Sequence, residues 1–477
     1  MASSYLSLRC ICYIFLFISS LSSFLFLYLS YFSINCSNGI QILSIEKNAQ
    51  DFDLLTFPSA WNHLNFPSQP PPRFLKIALF VKKWPDKRRA GGLERHALTL
   101  HLALAKRGHE IHIFTSSCTN LSSMRNLYFH FSKPTNAGYL DQATIWNQFQ
   151  VENLRRPFDV IHTESVALMH TRARNLTNLA VSWHGIGYES IHSDIIQELL
   201  REPEGTPSPI LKERISKVVE EIKFFPRYSH HIATSDHVGD ILRRIYMLPE
   251  EHVHIILNGV DEEIFKPEVE DFKLEFGIQQ SESSLILGIA GRLVKDKGHP
   301  LIFEALKQIF NESLSFRDSV VVLVAGDGPW GARYQELGSN IHVLGPLEQA
   351  QLAKFYNVID VFVNPTLRAQ GLDHTLLEAM MVGKPLMATK LASITGSIIN
   401  SRDIGYTFSP KVNSLKKVLY DVWKDGRVVL QKKGELARQR ALKLFTASKM
   451  AAAYEKLFLC IAEKEKGRSD YCNYKAY

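Results

Sequence analysis

Short apolar runs alternating with helical patterns, in two separate series, constrain this chain more than any other feature. The first series predicts strands at Leu75–Val81, Glu110–Thr115, Val160–His162, Leu179–Trp183 and His231–Thr234. Between them, Leu93, Ala97, Leu100 and Leu104 recur at helical spacing until Gly108. Leu211–Phe225 and Asp236–Tyr246 also read as helices. A polar stretch, Glu268–Ser284, interrupts the pattern. It resumes with strands at Ser284–Ile289, Val320–Val324, Ile341–Leu344, Asp360–Val363 and Pro385–Ala388. Helices are predicted over Pro300–Phe310, Ala350–Tyr356 and His374–Val382, and in pieces from Ser414 to about Glu463. Strands alternating with helices imply parallel sheets covered on both faces. The chain therefore reads as α/β, with two doubly wound domains in tandem. Such sheets bind ligands beyond the carboxyl ends of their strands. Gly91, Gly92 and Arg292 sit at such ends, and a cleft between the domains would bring them together.

The length, 477 residues, accommodates two such domains. The net charge of +7 is a modest excess, and no zinc spacing, RNA-binding signature or basic tail accompanies it, so no nucleic-acid partner is expected. Ile11–Phe32 is an uncharged apolar stretch long enough to cross a bilayer. It predicts an uncleaved signal anchor with residues 1–10 cytosolic; a cleaved signal or a transit peptide, which the opening Met1–Ser4 would suit, is the alternative. The anchor topology makes the rest luminal and is compatible with the sequons at Asn35, Asn120, Asn175 and Asn311. Residues 33–72 end in Pro70-Pro71-Pro72 and read as a stem, with Asp51–Asp53, the one D-x-D, taken as solvated chain. The scattered cysteines indicate neither a metal site nor a disulfide scaffold.

The most chemically informative stretch is Ile289–Gly298. A strand delivers Gly291, Arg292 and Lys297 beside a helix start, a combination suited to a diphosphate. Other short motifs accompany it in order. They are Gly91-Gly92-Leu93-Glu94-Arg95, then Asn258-Gly259-Val260-Asp261 with Phe265, then Gly326-Asp327-Gly328-Pro329. The last is Leu376-Leu377-Glu378-Ala379-Met380 with Gly383-Lys384-Pro385. Together with Gly291-Arg292-Leu293 and Lys297-Gly298, this ordered set resembles the retaining GT-B glycosyltransferases of family 4, over roughly residues 75 to 460, and especially their plant membrane-anchored members.

The resemblance implies a nucleotide-sugar donor, UDP- or GDP-linked, in the cleft between two Rossmann-like domains. No cofactor and no metal is implied, because Arg292 and Lys297 match the pair that grips the diphosphate leaving group. Gly91 and Gly92 match a glycine loop whose bare backbone approaches the phosphates. His184 matches a histidine near the donor sugar, though a strand-end histidine also serves as an ordinary hydrogen-bonder. Glu378 matches the second glutamate of an E-x7-E signature that holds the ribose hydroxyls. The first glutamate of that signature is replaced by Gln370, followed by Gly371, which keeps hydrogen bonding and loses the charge. Asp373 or His374 could compensate. The substitution leaves two rivals open, a non-catalytic nucleotide-sugar binder and a nucleotide-sugar epimerase on the same fold.

The organisation expected is a stem at 33–72, an acceptor domain at 73–267, a linker at 268–284, a donor domain at 285–440, and a C-terminal helix and tail at 441–477. The anchor and resemblance imply a Golgi type II membrane protein, with plastid or endoplasmic reticulum as alternatives. Lys82, Lys83, Lys87, Arg88 and Arg89 precede the glycine pair and suit an anionic acceptor or membrane headgroups, or form a solvated loop.

Overall fold

The computed structural model describes residues 52–474, apart from 68, 70, 72, 86–90, 117–123, 201–208, 279–283, 370, 465–466 and 468–469. The Ile11–Phe32 segment, Asp51, Lys87, Arg88, Arg89, Gln370 and the sequons at Asn35 and Asn120 lie outside the described residues. Among the described residues no helix is long and apolar enough to cross a membrane.

The apolar runs form two parallel sheets. The first contains β1 (Lys76–Phe80), β2 (Glu110–Ser116), β3 (Leu127–Ser132), β4 (Val160–Glu164), β5 (Leu179–Trp183), β6 (His230–Ala233) and β7 (Val253–Ile255). Their order is β3-β2-β1-β4-β5-β6-β7. The second contains β8 (Leu285–Ala290), β9 (Val320–Ala325), β10 (Ile341–Gly345), β11 (Val361–Asn364), β12 (Leu386–Thr389) and β13 (Gly405–Phe408), ordered β10-β9-β8-β11-β12-β13. In both sheets the order reverses beside the first strand, which opens a crevice at the carboxyl edge. Strands β1, β4, β5 and β6 are buried throughout, as double helical cover requires. The strands missing from the sequence reading, β3, β7 and β13, are all at sheet edges, where apolar runs are short or mixed.

The helices that matter for the cleft are α1 (Gly92–Lys106), α2 (Gln142–Arg155), α3 (Gly187–Leu199), α4 (Ile210–Phe224), α5 (Asp236–Arg244), α6 (His299–Glu312), α7 (Gln349–Val358) and α8 (His374–Met381). The chain closes with α9 (Val412–Leu444), kinked at Gly426, and α10 (Ala447–Lys464). Helix α10 returns to the first domain. Its Met450, Tyr454, Leu457 and Phe458 share a buried cluster with Ile77 and Leu79 of β1 and with Leu100 and Leu104 of α1. The return path crosses the outgoing chain at Val260 and Thr446. Gly259 is obligatory there, since a Cβ would lie 2.4 Å from the Thr446 carbonyl oxygen.

Two expectations are corrected. The stem does not run free to residue 72: Leu54, Leu55, Ala60 and Trp61 are buried. Asp53 is a cap rather than solvated chain, accepting from the Leu55 amide at 2.9 Å. Asn62 donates to the Leu444 carbonyl at 2.8 Å and accepts from the Leu257 amide at 2.7 Å, tying the stem to both passes of the chain. Cysteines also pair: Cys460 and Cys472 form a disulfide with Cα atoms 4.9 Å apart. Next to it, Phe52–Asp53 and Asn473–Tyr474 make a short antiparallel ladder.

Across the cleft, Arg95 of α1 reaches Glu378 of α8 at 2.6 Å. Glu378 is 1% exposed, and its other oxygen accepts from Tyr356 at 2.9 Å. Removing one partner of a buried pair strands the other charge away from water. Arg95→Ala is expected to lower unfolding free energy by about 3 kcal/mol or more. Urea denaturation checks this, and a loss within the range of a surface substitution would contradict it.

Burial also acts on histidines that sit neutral in the fold. It pushes His101 and His299 down to about 4, and His230 and His231 to about 3. Unfolded, they would take a proton near pH 6.5. Between those values the unfolded chain binds more protons, so stability is full above about pH 6.5 and falls on acidification. Glu189, whose burial pushes its carboxyl up to about 8, works in the opposite direction, as do Glu221 and Glu378, but burial also lowers His96, His130, His162, His254 and His374, so the imidazoles outnumber the acids. The urea midpoint should be lower at pH 5 than at pH 7; an unchanged or higher midpoint would refute the assignment.

Candidate functional site

The two carboxyl edges enclose a cavity of about 940 Å³ that joins a smaller one of about 340 Å³. Gly91, Gly92, Arg292, Lys297, Asp373 and His374 line both. His184 and Gly371 line the larger one. Six of the eight residues singled out from the sequence are thus brought to one place. Glu378 stands apart, beneath the wall, with its carboxylate committed to Arg95 and Tyr356. Gln370 lies outside the described residues. Of the basic loop, Lys82 is half-buried with its ammonium 5.5 Å from the Tyr139 ring centre.

Close backbone packing builds the second-domain wall. Gly298, with φ of 78°, precedes α6, and a Cβ there would lie 1.8 Å from the Pro365 carbonyl oxygen. Glycine therefore lets the β8 loop sit against the β11 loop, and this places Lys297 beside Asp373. The Lys297 ammonium donates to Asp373 Oδ2 at 2.7 Å, and Asn364 donates to the same oxygen at 3.3 Å. Asp373 Oδ1 accepts from the Thr375 amide and hydroxyl at 3.2 and 2.9 Å. Burial would raise this carboxyl, but Lys297 and the surrounding donors hold it far below the usual carboxylate range. Arg292 is exposed, and among the described residues no carboxylate pairs with it.

The first-domain wall contains residues that sequence reasoning missed. Glu164 ends β4 as His184 follows β5, and its carboxylate is fully buried. It receives His184 Nε2 at 2.6 Å and His96 Nδ1 at 3.0 Å. The signal was present as a carboxylate ending an otherwise buried strand, Val160–Glu164, but nothing in the sequence linked it to His96.

Proton counting fixes the tautomers. A row of contacts runs from the Ala97 carbonyl to His101 Nδ1 (2.8 Å), then His101 Nε2 to His162 Nδ1 (3.1 Å). It continues from His162 Nε2 to Ser182 Oγ (2.8 Å) and to the Tyr454 hydroxyl (2.7 Å). The Tyr454 hydroxyl then meets His96 Nε2 at 3.4 Å, and His96 Nδ1 meets Glu164. Both ends of the row are acceptors, so its neutral groups supply one proton fewer than there are contacts. The longest contact, Tyr454 to His96, is the one left without a proton. With His101, His162 and His96 neutral, as their burial favours, His96 donates from Nδ1 to an ionised Glu164. Burial lowers all three imidazoles, in agreement. Burial alone would raise Glu164, but the two facing imidazoles hold it well below its usual range. His184 donates to it from Nε2, which leaves a lone pair on Nδ1. His374, buried, has no hydrogen-bond partner at Nε2 among the described residues.

His96, Glu164 and His184 could also converge on a metal ion, as could His101, His162 and Glu164. The hydrogen-bond assignment satisfies these groups with protons alone.

Comparison with known proteins agrees with this architecture. The model described as Glycosyltransferase Family 4 matches residues 90–264, and that of Glycosyl transferases group 1 matches residues 284–425. The N-acetyl-alpha-D-glucosaminyl L-malate synthase of Bacillus anthracis is 25% identical over 411 residues, covering 82% of this chain and 99% of that protein. Among solved structures, the sucrose-phosphate synthase of Thermosynechococcus elongatus superposes with a TM-score of 0.65 at 18% identity, over 82% of this chain and all of that one. Anabaena HepE, solved with UDP-glucose, gives 0.57 at 15% identity, over 83% of this chain and all of its own. With two consecutive family models matching residues 90–264 and 284–425 and the fold of the structural neighbours, the chain is a family 4-like GT-B glycosyltransferase.

Proposed function

We propose that this glycosyltransferase moves a sugar from a UDP- or GDP-linked donor to an acceptor hydroxyl, with retention of configuration and without a metal, in the lumen of the secretory pathway. The observation that carries the reading is the meeting of Gly91 and Gly92 with Arg292 and Lys297 at the junction of the two cavities. Breaking the bond to the sugar moves negative charge onto the diphosphate. Fixed cations at that point lower the barrier, because they are already oriented when the charge develops. The smaller cavity, walled by Ala290, Leu347 and Leu352, has the apolar lining that a nucleoside base needs. The solved neighbour holding UDP-glucose supports a nucleotide-sugar donor. Retention follows from a front-face course in which the leaving phosphate helps to remove the acceptor proton.

On this reading Glu378 reaches a donor ribose only if Arg95 releases it. His184, oriented by Glu164, supports the donor sugar from the first domain, with Gly371 lining the same cavity from the second. Secretory placement is supported by the Ile11–Phe32 stretch and by a disulfide of the kind that persists in oxidising compartments. The sequon residues Asn175 and Asn311 are exposed, as glycan attachment requires.

Incubation with a panel of UDP- and GDP-sugars tests the reading through donor consumption and the anomeric configuration of the product. Binding without consumption, or an inverted product, would overturn it. Arg292→Ala and Lys297→Ala are each expected to lower turnover about a hundredfold. Near-normal turnover in both variants, with intact folding, would remove the diphosphate assignment. Glu164→Gln offers one acceptor and one donor to two N–H groups, so one imidazole must change tautomer. Turnover should fall about tenfold or more, the scale of one lost charge-assisted hydrogen bond. The turnover-versus-pH curve should also shift, which a purely structural role would not cause; an unchanged rate and curve would refute the orienting role.

A further inference from the structure

The cations of the cleft fall into two groups. Arg292 and Lys297 line both cavities, where the donor diphosphate is placed. Arg214, Lys217 and Arg368 line the larger cavity and not the smaller one. They come from different parts of the chain: Arg214 and Lys217 from α4, and Arg368 from the loop before α8. A specific contact brings them together. The Ala369 amide donates to Ser193 Oγ of α3 at 2.8 Å, which docks the second-domain loop on the first domain.

These cations are held by only part of their hydrogen-bonding capacity. Arg214 spends Nε on Asp194 Oδ2 at 3.1 Å, which orients the side chain, and its terminal nitrogens make no bond among the described residues. Arg368 has one long contact, 3.4 Å, to Asp296. Lys217 is exposed and has no ion pair among the described residues. The group is also electrostatically crowded. Burial pushes the Arg368 guanidinium down; Asp296 and Asp373 oppose this, while Arg292 and Arg214 add to it. Lys217 in turn acts on half-buried Lys82. Like charges gathered across a domain boundary repel one another. An anion seated between them would relieve that repulsion and fill the open donor positions with bidentate and point-charge contacts.

We infer that Arg214, Lys217 and Arg368 form an acceptor subsite for an anionic group, a phosphate monoester or a carboxylate, in the part of the larger cavity beyond the donor diphosphate. The inference rests on the transferase reading, because the larger cavity is the acceptor's only if the smaller one takes the nucleotide. The acceptor then carries its hydroxyl on a small anionic body. The anion anchors it to α4 and the Arg368 loop, and the hydroxyl lies toward His184 and the donor sugar.

The test is calorimetric titration of the full-length protein saturated with UDP, using sn-glycerol 3-phosphate, L-malate and uncharged glycerol as probes. At least one of the two anions is expected to bind ten times more tightly than glycerol or better, and the stronger of the two identifies the anionic group. Lys217→Gln and Arg214→Gln should each weaken that anion at least fivefold more than they weaken UDP, the scale of one charge-assisted hydrogen bond. Lys217→Gln keeps the test decisive if Arg214→Gln does not fold, because Lys217 is an exposed helical residue. Anions binding no better than glycerol, or variants losing UDP as much as the anion, would overturn the subsite alone. A wild-type protein that bound no UDP or GDP would overturn the transferase reading and the subsite with it.

Discussion

Two carboxylates that cannot reach water determine how the cleft is wired. Glu164 belongs to the first domain and Glu378 to the second, and both are almost completely buried. An ionised carboxylate removed from water needs compensating donors, and their geometry must be good. Each finds its donors differently. Glu164 takes two imidazole N–H groups from its own domain, which sets the tautomer of His184 at the cavity wall. Glu378 takes one donor from its own domain, Tyr356, and one from the other, Arg95, so its compensation spans the cleft. Satisfying one carboxylate prepares a side chain for chemistry; satisfying the other limits how far the domains can separate.

The sheets were legible because their signal is local. A central parallel strand is buried on both faces and must be a near-continuous apolar run, whatever it pairs with. The strands of both sheet centres were found in this way, within a residue or two at each end, and edge strands such as Leu127–Ser132 were not. The cationic end of the cleft was also legible, because Arg292 and Lys297 sit five residues apart after a recognisable strand. What stayed hidden depends on partners far away in sequence. Arg95 and Glu378 are 283 residues apart, and His96 and Glu164 are 68 apart. No spacing rule links such pairs. The expectation that Glu378 faces the ligand came from its place in a motif, and the structure shows the same carboxylate bonded to an arginine from the other domain.

The ends of the chain were misread for a related reason. Residues 52–67 carry their apolar side chains at no regular period, between prolines and polar residues, and so resemble a stem. Their burial comes from filling the seam where the chain leaves the first domain at Leu257 and returns at Leu444, and Asn62 bonds to both points. Likewise, α10 reads only as a helix after the second domain. Its apolar face is one of the two main coverings of β1 and α1, and Tyr454 within it supplies a hydroxyl to the histidine row behind the site. Helix α10 is thus part of the first domain's core, and the chain crosses itself at Val260 and Thr446 on the way to it.

The charge balance of the cleft bears on the missing glutamate at position 370. Two carboxylates near the donor-sugar position could stand in for it, and both have their capacity taken. Asp373 accepts two hydrogen bonds on each oxygen: Lys297 and Asn364 occupy one, and the Thr375 amide and hydroxyl occupy the other. Its charge is largely neutralised by Lys297, and the pair presents the cavity with a dipole rather than an anion. Glu164 is nearer to the first-domain wall and has no cationic neighbour among its bonded partners, only two neutral imidazoles. Its negative charge is therefore not cancelled locally, and a buried charge of this kind acts at longer range than one screened by water. The route by which it reaches the cavity is His184, whose Nε2 bonds the carboxylate at 2.6 Å and whose ring lines the cavity. On the proposed reaction, positive charge developing at the anomeric carbon would meet that polarised imidazole on the first-domain side. Under the proposed reaction, the Glu164 charge, one hydrogen bond behind the first-domain wall, would offset the neutral amide that the sequence carries at 370.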